Sequence, residues 1–131
     1  MTTAQSPADA VRLMSERISA CDVDGALALY EPGAAFTPQP GQVVTGSNAI
    51  RRALEGFTAL NPHLEGQVER VVESGDVALV INRWTLEGTA PDGKPVAMAG
   101  VSADVVRRQT DGRWLVLIDD PWGSLGEKTL T

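Results

Sequence analysis

Residues 99–123 read AGVSADVVRRQTDGRWLVLIDDPWG, and the reading of this stretch decides the fold. A valine-rich run, Val101 to Arg108, and a nearly unbroken apolar run, Trp114 to Ile118, flank Gln109-Thr110-Asp111-Gly112. An Asp-Gly pair between apolar runs is a strong hairpin signal, because both residues tolerate the left-handed backbone of a tight turn. Asp104 lies inside the first strand, and Asp119-Asp120 end the second. A carboxylate on a core-facing strand must find a partner or keep its proton. The hairpin is therefore also the first place to look for function.

Turn length decides which carboxylates meet. A two-residue Asp111-Gly112 loop sets Asp104 opposite Asp119. A three-residue Thr110-Asp111-Gly112 loop, with Gly112 left-handed, instead puts Ser102, Asp104, Val106, Val116, Ile118 and Asp120 on one face. The second register carries the expectation of a pocket shared by Asp104 and Asp120. Two carboxyls facing one apolar cavity push their pKa values apart, so that one stays protonated as a donor while the other ionises. The structural alternative pairs each aspartate with an arginine such as Arg83 or Arg107, or leaves it at a solvated strand end.

Upstream, Ser6-Pro7-Ala8-Asp9 reads as a helix start, followed by an apolar stripe at Ala10, Val11, Met14, Ile18 and Cys21. Asp22 or Asp24 caps a second, short helix through Ala26 to Tyr30, stopped by Pro32-Gly33. Ala34 to Thr37 reads as a short strand, and Pro38 to Gly41 is too rich in proline for the middle of a sheet. Gly46-Ser47-Asn48 opens a third helix with Ile50, Ala53, Leu54 and Phe57 on one face, ended by Asn61-Pro62. Strands follow over 63–73, 77–87, 94–108 and 113–121. Helices first and strands after is an α+β pattern.

With 131 residues the chain is sized for one domain over 1–131, with 1–5 and 124–131 as loose ends. A net charge of −6 argues against nucleic-acid and anionic-membrane partners, which need a basic patch. No apolar run approaches the ~20 residues of a membrane span. The opening MTTAQSPADA lacks the basic and apolar regions of a secretory signal, so the cytoplasm is the expected compartment. One histidine, His63, and one cysteine, Cys21, leave no metal-ligand spacing, and the glycines are scattered turn residues. Neither metal nor cofactor is expected. His63 reads as a strand-edge residue, Cys21 as a small core residue and Trp122 as a residue of a pocket mouth or subunit contact. Val101, Ala103, Val105, Leu115 and Leu117 make one strand face apolar, and Val106, Val116 and Ile118 the other. A solvated sheet face should be polar. A homodimer through the uncovered face is therefore expected.

Three segments resemble the nuclear transport factor 2-like superfamily, in particular its ketosteroid isomerase-like and SnoaL-like members. They are CDVDGALALY at 21–30, GSNAIR at 46–51 and DVVRRQTDGRW at 104–114. The resemblance implies a cone-shaped, curved, mixed but mainly antiparallel sheet wrapped around N-terminal helices, with a pocket inside and dimers through the outer sheet face. Carried over residue by residue, the protonated aspartate of the isomerase falls on Asp104. Its tyrosine falls near Met14 and its base near Thr37-Pro38, so steroid isomerisation itself is not expected. Asp120 falls where relatives place a polar or aromatic pocket residue. The expected catalytic pair is Asp104 and Asp120, with Met14, Phe36, Phe57, Ser102, Val106, Val116, Ile118 and Trp122 binding a small apolar molecule. Two functions stand side by side. One is a cofactor-independent, SnoaL-like acid/base enzyme, isomerase- or cyclase-like, acting on a polyketide-like or other carbonyl compound. The other is a non-catalytic binding or dimerisation module.

Overall fold

Ser6 caps helix α1 (Pro7–Ser19). Its Oγ accepts from the Asp9 N–H at 3.2 Å, and Pro7 sits at the helix start, where no N–H is needed. The computed structural model describes residues 2–123. Helix α1 buries Ala10, Val11, Leu13, Met14 and Ile18. Arg17 is buried as well, and its guanidinium donates to the carbonyls of Gly25, at 2.9 Å, and Thr2. With a hydrogen bond of 3.0 Å from Trp114 N–H to Ala4 O, this clamp ties down residues that the sequence leaves free, and Ala4 is buried. The other expected loose end, 124–131, lies outside the described residues. Cys21 is exposed rather than in the core, because α1 ends at Ser19 and the chain turns at Cys21 with φ +56°.

Asp22 caps the short helix α2 (Val23–Leu27), accepting from Gly25 N–H at 2.9 Å. The remaining elements are β1 (Tyr30–Gln39), β2 (Gln42–Thr45), α3 (Ser47–Thr58), β3 (His63–Ser74), β4 (Val77–Thr89), β5 (Pro95–Arg108) and β6 (Trp114–Asp120). Helix α2 stops before Tyr30, and both Pro32 and Pro38 fall within β1 rather than outside a sheet. Each sits where pairing slips: between Tyr30 and Ala35 against β6, and between Phe36 and Gln39 against β2. Such irregularities spare proline the ladder hydrogen bond that it cannot donate.

The six strands form one curved, unclosed sheet in the order β2-β1-β6-β5-β4-β3. Neighbours are antiparallel except β1 and β6, which run parallel. Helix α1 crosses β3 to β6, while α3 lies on β1 and β2 with α2 beside it. Alternation in β4 turns Ala78, Val80, Asn82, Trp84 and Leu86 inward. This is the α+β cone expected from the order of helices and strands. On the outer face Val72, Leu79, Val105 and Ile118 are successive neighbours from β3 to β6, with Ile118 43% exposed. Among the described residues, no helix is long and apolar enough to cross a membrane.

Candidate functional site

The hairpin turn closes through Gly112 N–H to Gln109 O at 2.9 Å and Gln109 N–H to Arg113 O at 2.7 Å, with Gly112 at φ +90°. That is the three-residue loop, and Val106 pairs with Val116 accordingly. The register then slips by one. Val105 pairs with Ile118, so Leu117 is an extra residue, and Asp104 pairs with Asp119. A bulge of this kind turns every later residue to the other face.

The bulge displaces two expected pocket residues, and a third does not border the cavity. Ile118 points outward. Asp120 does not line the cavity; its Oδ1 accepts from the N–H groups of Trp122 and Gly123, both at 3.2 Å, and so caps the turn after β6. Val106, before the bulge, keeps its inward face but is wholly buried in the packed core and does not border the cavity. Asp119 takes the inward place beside Asp104.

The cavity lies between α1 and the concave sheet face. Met14, Phe36, Phe57, Ser102, Asp104, Val116 and Trp122 of the expected set line it, together with Tyr30, Asn82, Trp84 and Asp119. Its free volume is about 80 Å³, room for two or three waters at ~30 Å³ each. A ring-sized ligand must therefore displace part of the wall. Trp122 is half-buried at this wall. It meets Trp84 edge to face, with centroids 5.3 Å apart, and donates one hydrogen bond of 3.3 Å to Pro38 O.

The polar end of the cavity is a chain of four side chains. Ser102 Oγ donates to Asp104 Oδ2 at 2.9 Å, while the fully buried Asp104 Oδ1 receives no hydrogen bond among the described residues. The Tyr30 hydroxyl donates to Asp119 Oδ2. The arginines of the structural alternative are engaged elsewhere, Arg83 by Glu69 and Arg107 by Glu31. Burial, reinforced by the Asp119 charge, pushes the Asp104 carboxyl well above the usual carboxylate range. Burial raises Asp119 too, but the donors Asp104 and Tyr30 work against it, so Asp119 is the ionised member of the pair. The same burial and the Asp119 charge lift the Tyr30 phenol well above its ordinary value and keep it a donor. Two of the four groups, Tyr30 and Asp119, are not in the set expected from sequence. Tyr30 is the chain's one tyrosine, and the helical pattern runs up to it; the only signal against a helix is the Pro32-Gly33 that follows.

His63, at the start of edge strand β3, is exposed with Nε2 2.8 Å from Glu65 and does not line this cavity. Among the described residues no group of three or more His, Cys, Asp or Glu could hold a metal ion.

The SnoaL-like domain family matches residues 11–117 of the chain. No curated protein matches it. Solved structures do. A candidate dehydratase of the NTF2-like family from Streptomyces avermitilis is 20% identical, with 88% of this chain and 92% of that chain covered and a TM-score of 0.72. A ketosteroid isomerase-like protein from Erwinia carotovora atroseptica is 19% identical, with coverage of 84% and 87% and a TM-score of 0.70. A candidate calcium/calmodulin-dependent protein kinase II association domain from Xanthomonas campestris is 18% identical, with 97% of both chains covered and a TM-score of 0.73. At these identities the likeness is one of fold, shared by proteins with different work. With 107 of its 131 residues (11 to 117) inside the family match, the chain belongs to the SnoaL-like domain family, on the NTF2-like fold.

Proposed function

We propose that this protein binds a small, largely apolar carbonyl compound in the interior cavity and moves a proton on it without a cofactor. The observation that carries the reading is the Asp104–Asp119–Tyr30 chain at one end of an otherwise apolar space. Protonated Asp104 is the donor to the carbonyl oxygen. Ionised Asp119 is the base that takes the α-proton, and the product is the enol. Both carboxyls are regenerated when Asp119 returns its proton to carbon and the enol hydroxyl returns its proton to Asp104. Met14, Phe36, Phe57, Val116 and Trp122 hold the apolar body, and Ser102 orients Asp104.

The test uses 2-naphthol, an aromatic stand-in for such an enol, titrated by calorimetry. Saturable binding tighter than about 1 mM is expected, equivalent to about −4 kcal/mol. Asp104→Leu, which removes the donor but keeps the bulk, should weaken it by about 10-fold. Absence of saturable binding, or equal binding by the variant, would overturn the reading.

The working form is a two-fold dimer through the outer sheet face. The row Val72–Leu79–Val105–Ile118 supports this, because it leaves a contiguous apolar strip facing away from the helices. Leu79→Glu places a charge in the middle of the strip, and sedimentation at micromolar concentration should show it at half the mass of the wild type. A wild-type monomer under the same conditions would rule the dimer out.

A further inference from the structure

The cavity shares a wall with a larger cleft of about 730 Å³ between α1 and β3. Ser15, Leu64 and Asn82 border both spaces. Asn82 is only 5% exposed. Its backbone carbonyl accepts from Ser102 Oγ at 3.3 Å, but its side-chain amide makes no hydrogen bond with the described residues, and neither does Ser15 Oγ. The buried side-chain atom without a partner among the described residues is Asp104 Oδ1, so the Asn82 amide atoms keep contact with the open space beside them, where a ligand or water takes up their hydrogen bonds. Gly66, with no side chain, lets both groups pack against its backbone. A Cβ there would lie 3.0 Å from both Asn82 Nδ2 and Oδ1 and 3.3 Å from Ser15 Oγ, so the two side chains converge beside it.

We propose that Ser15 and Asn82 form a second polar subsite, which takes a neutral hydroxyl or carbonyl oxygen at the far edge of the ligand. The inference rests on the reading above, in which the first oxygen lies at Asp104. The geometry sets the span. Asn82 is the direct partner of Ser102 across β4 and β5, and Asp104 follows two residues later on the same face. At ~4.8 Å between strands and ~3.4 Å per residue, the two polar ends are about 8 Å apart. The chemistry sets the charge. An amide and a hydroxyl offer donors and acceptors but no cation. The two basic side chains lining the cleft, Arg12 and His63, are engaged by Asp9, Glu16 and Glu65. A carboxylate would find no free partner, in a chain whose net charge is already −6. The substrate class is therefore a neutral, ring-sized molecule with oxygen functions on two edges.

The probes are 2-naphthol, 2,6-dihydroxynaphthalene and 6-hydroxy-2-naphthoate, titrated into the wild-type protein and two variants. The diol should bind about 10-fold tighter than 2-naphthol, and the carboxylate should bind more weakly than the diol. Asn82→Leu should bring the diol and 2-naphthol to within about twofold of each other. Ser15→Ala should lower the diol preference part of the way, and it carries the test if the leucine variant does not fold. Binding of 2-naphthol without a diol preference, or a preference that survives both substitutions, overturns the subsite alone. Failure of every probe to bind overturns the acid–carbonyl reading and the subsite with it.

Discussion

Asp104→Asn is expected to make the protein more stable than the wild type at pH 8, with the advantage vanishing near pH 4. The cause is the upward displacement of the Asp104 carboxyl by burial and by the Asp119 charge. In the unfolded chain an aspartate releases its proton near pH 4. The folded protein keeps that proton until its own higher pKa is reached. Between those two values the native state binds more protons than the unfolded state, so stability falls as pH rises. The contribution is complete below about pH 4 and lost as pH passes through the folded value, at about 1.4 kcal/mol per unit of displacement. Asparagine keeps the shape, accepts from Ser102 and donates to Asp119, but it cannot titrate. Asp9, Glu31 and Asp111 are displaced downward by their arginine partners or backbone donors and act in the opposite sense in both proteins. The decisive quantity is therefore the difference between wild type and variant in urea midpoint across pH 4 to 8. Parallel curves would mean that Asp104 is ionised in the folded state.

Tyr30→Phe should have the largest effect on chemistry. It deletes the one tyrosine hydroxyl of the chain, which donates to Asp119. A hydrogen bond to a charged group contributes about 1.5–3 kcal/mol, so its loss shifts Asp119 toward the protonated form by about 10- to 100-fold. The base is then scarce at neutral pH. The probe reaction is exchange of the α-hydrogens of 2-tetralone in deuterated water, followed by proton NMR. The variant should exchange about 10- to 100-fold more slowly at pH 7, and raising the pH should recover much of the loss. A loss of purely structural origin would not recover in this way. A rate within about threefold of wild type at pH 7 would remove Tyr30 from the mechanism.

The fold was legible because its signals are local. Ser6-Pro7 starts α1, Asp22 caps α2, and the Gly112 turn sets the hairpin, each through a hydrogen bond or a backbone angle within a few residues. The site was legible only in part. Asp104 and Ser102 lie before the irregularity and fall where alternation puts them. Asp119 lies after it, and no side chain near Leu117 announces a bulge, since Leu115, Val116, Leu117 and Ile118 are all apolar. Tyr30 and Asn82 are placed by long-range pairing, Tyr30 beside Val116 in a parallel pair and Asn82 beside Ser102. Contacts between residues so distant in sequence leave no periodic trace.

The bulge at Leu117 also gives meaning to the doublet Asp119-Asp120. Were the strand to pair without its extra residue bulged out, everything past Val116 would turn over, and Asp120 would face the interior in place of Asp119. A carboxyl would still face the cavity. The repeated aspartate thus keeps an acid on the inner face in either register, but at the expense of the turn after β6. Asp120 drawn inward would release the N–H groups of Trp122 and Gly123. A slipped chain would then keep its acid and lose its hold on the tryptophan at the cavity wall.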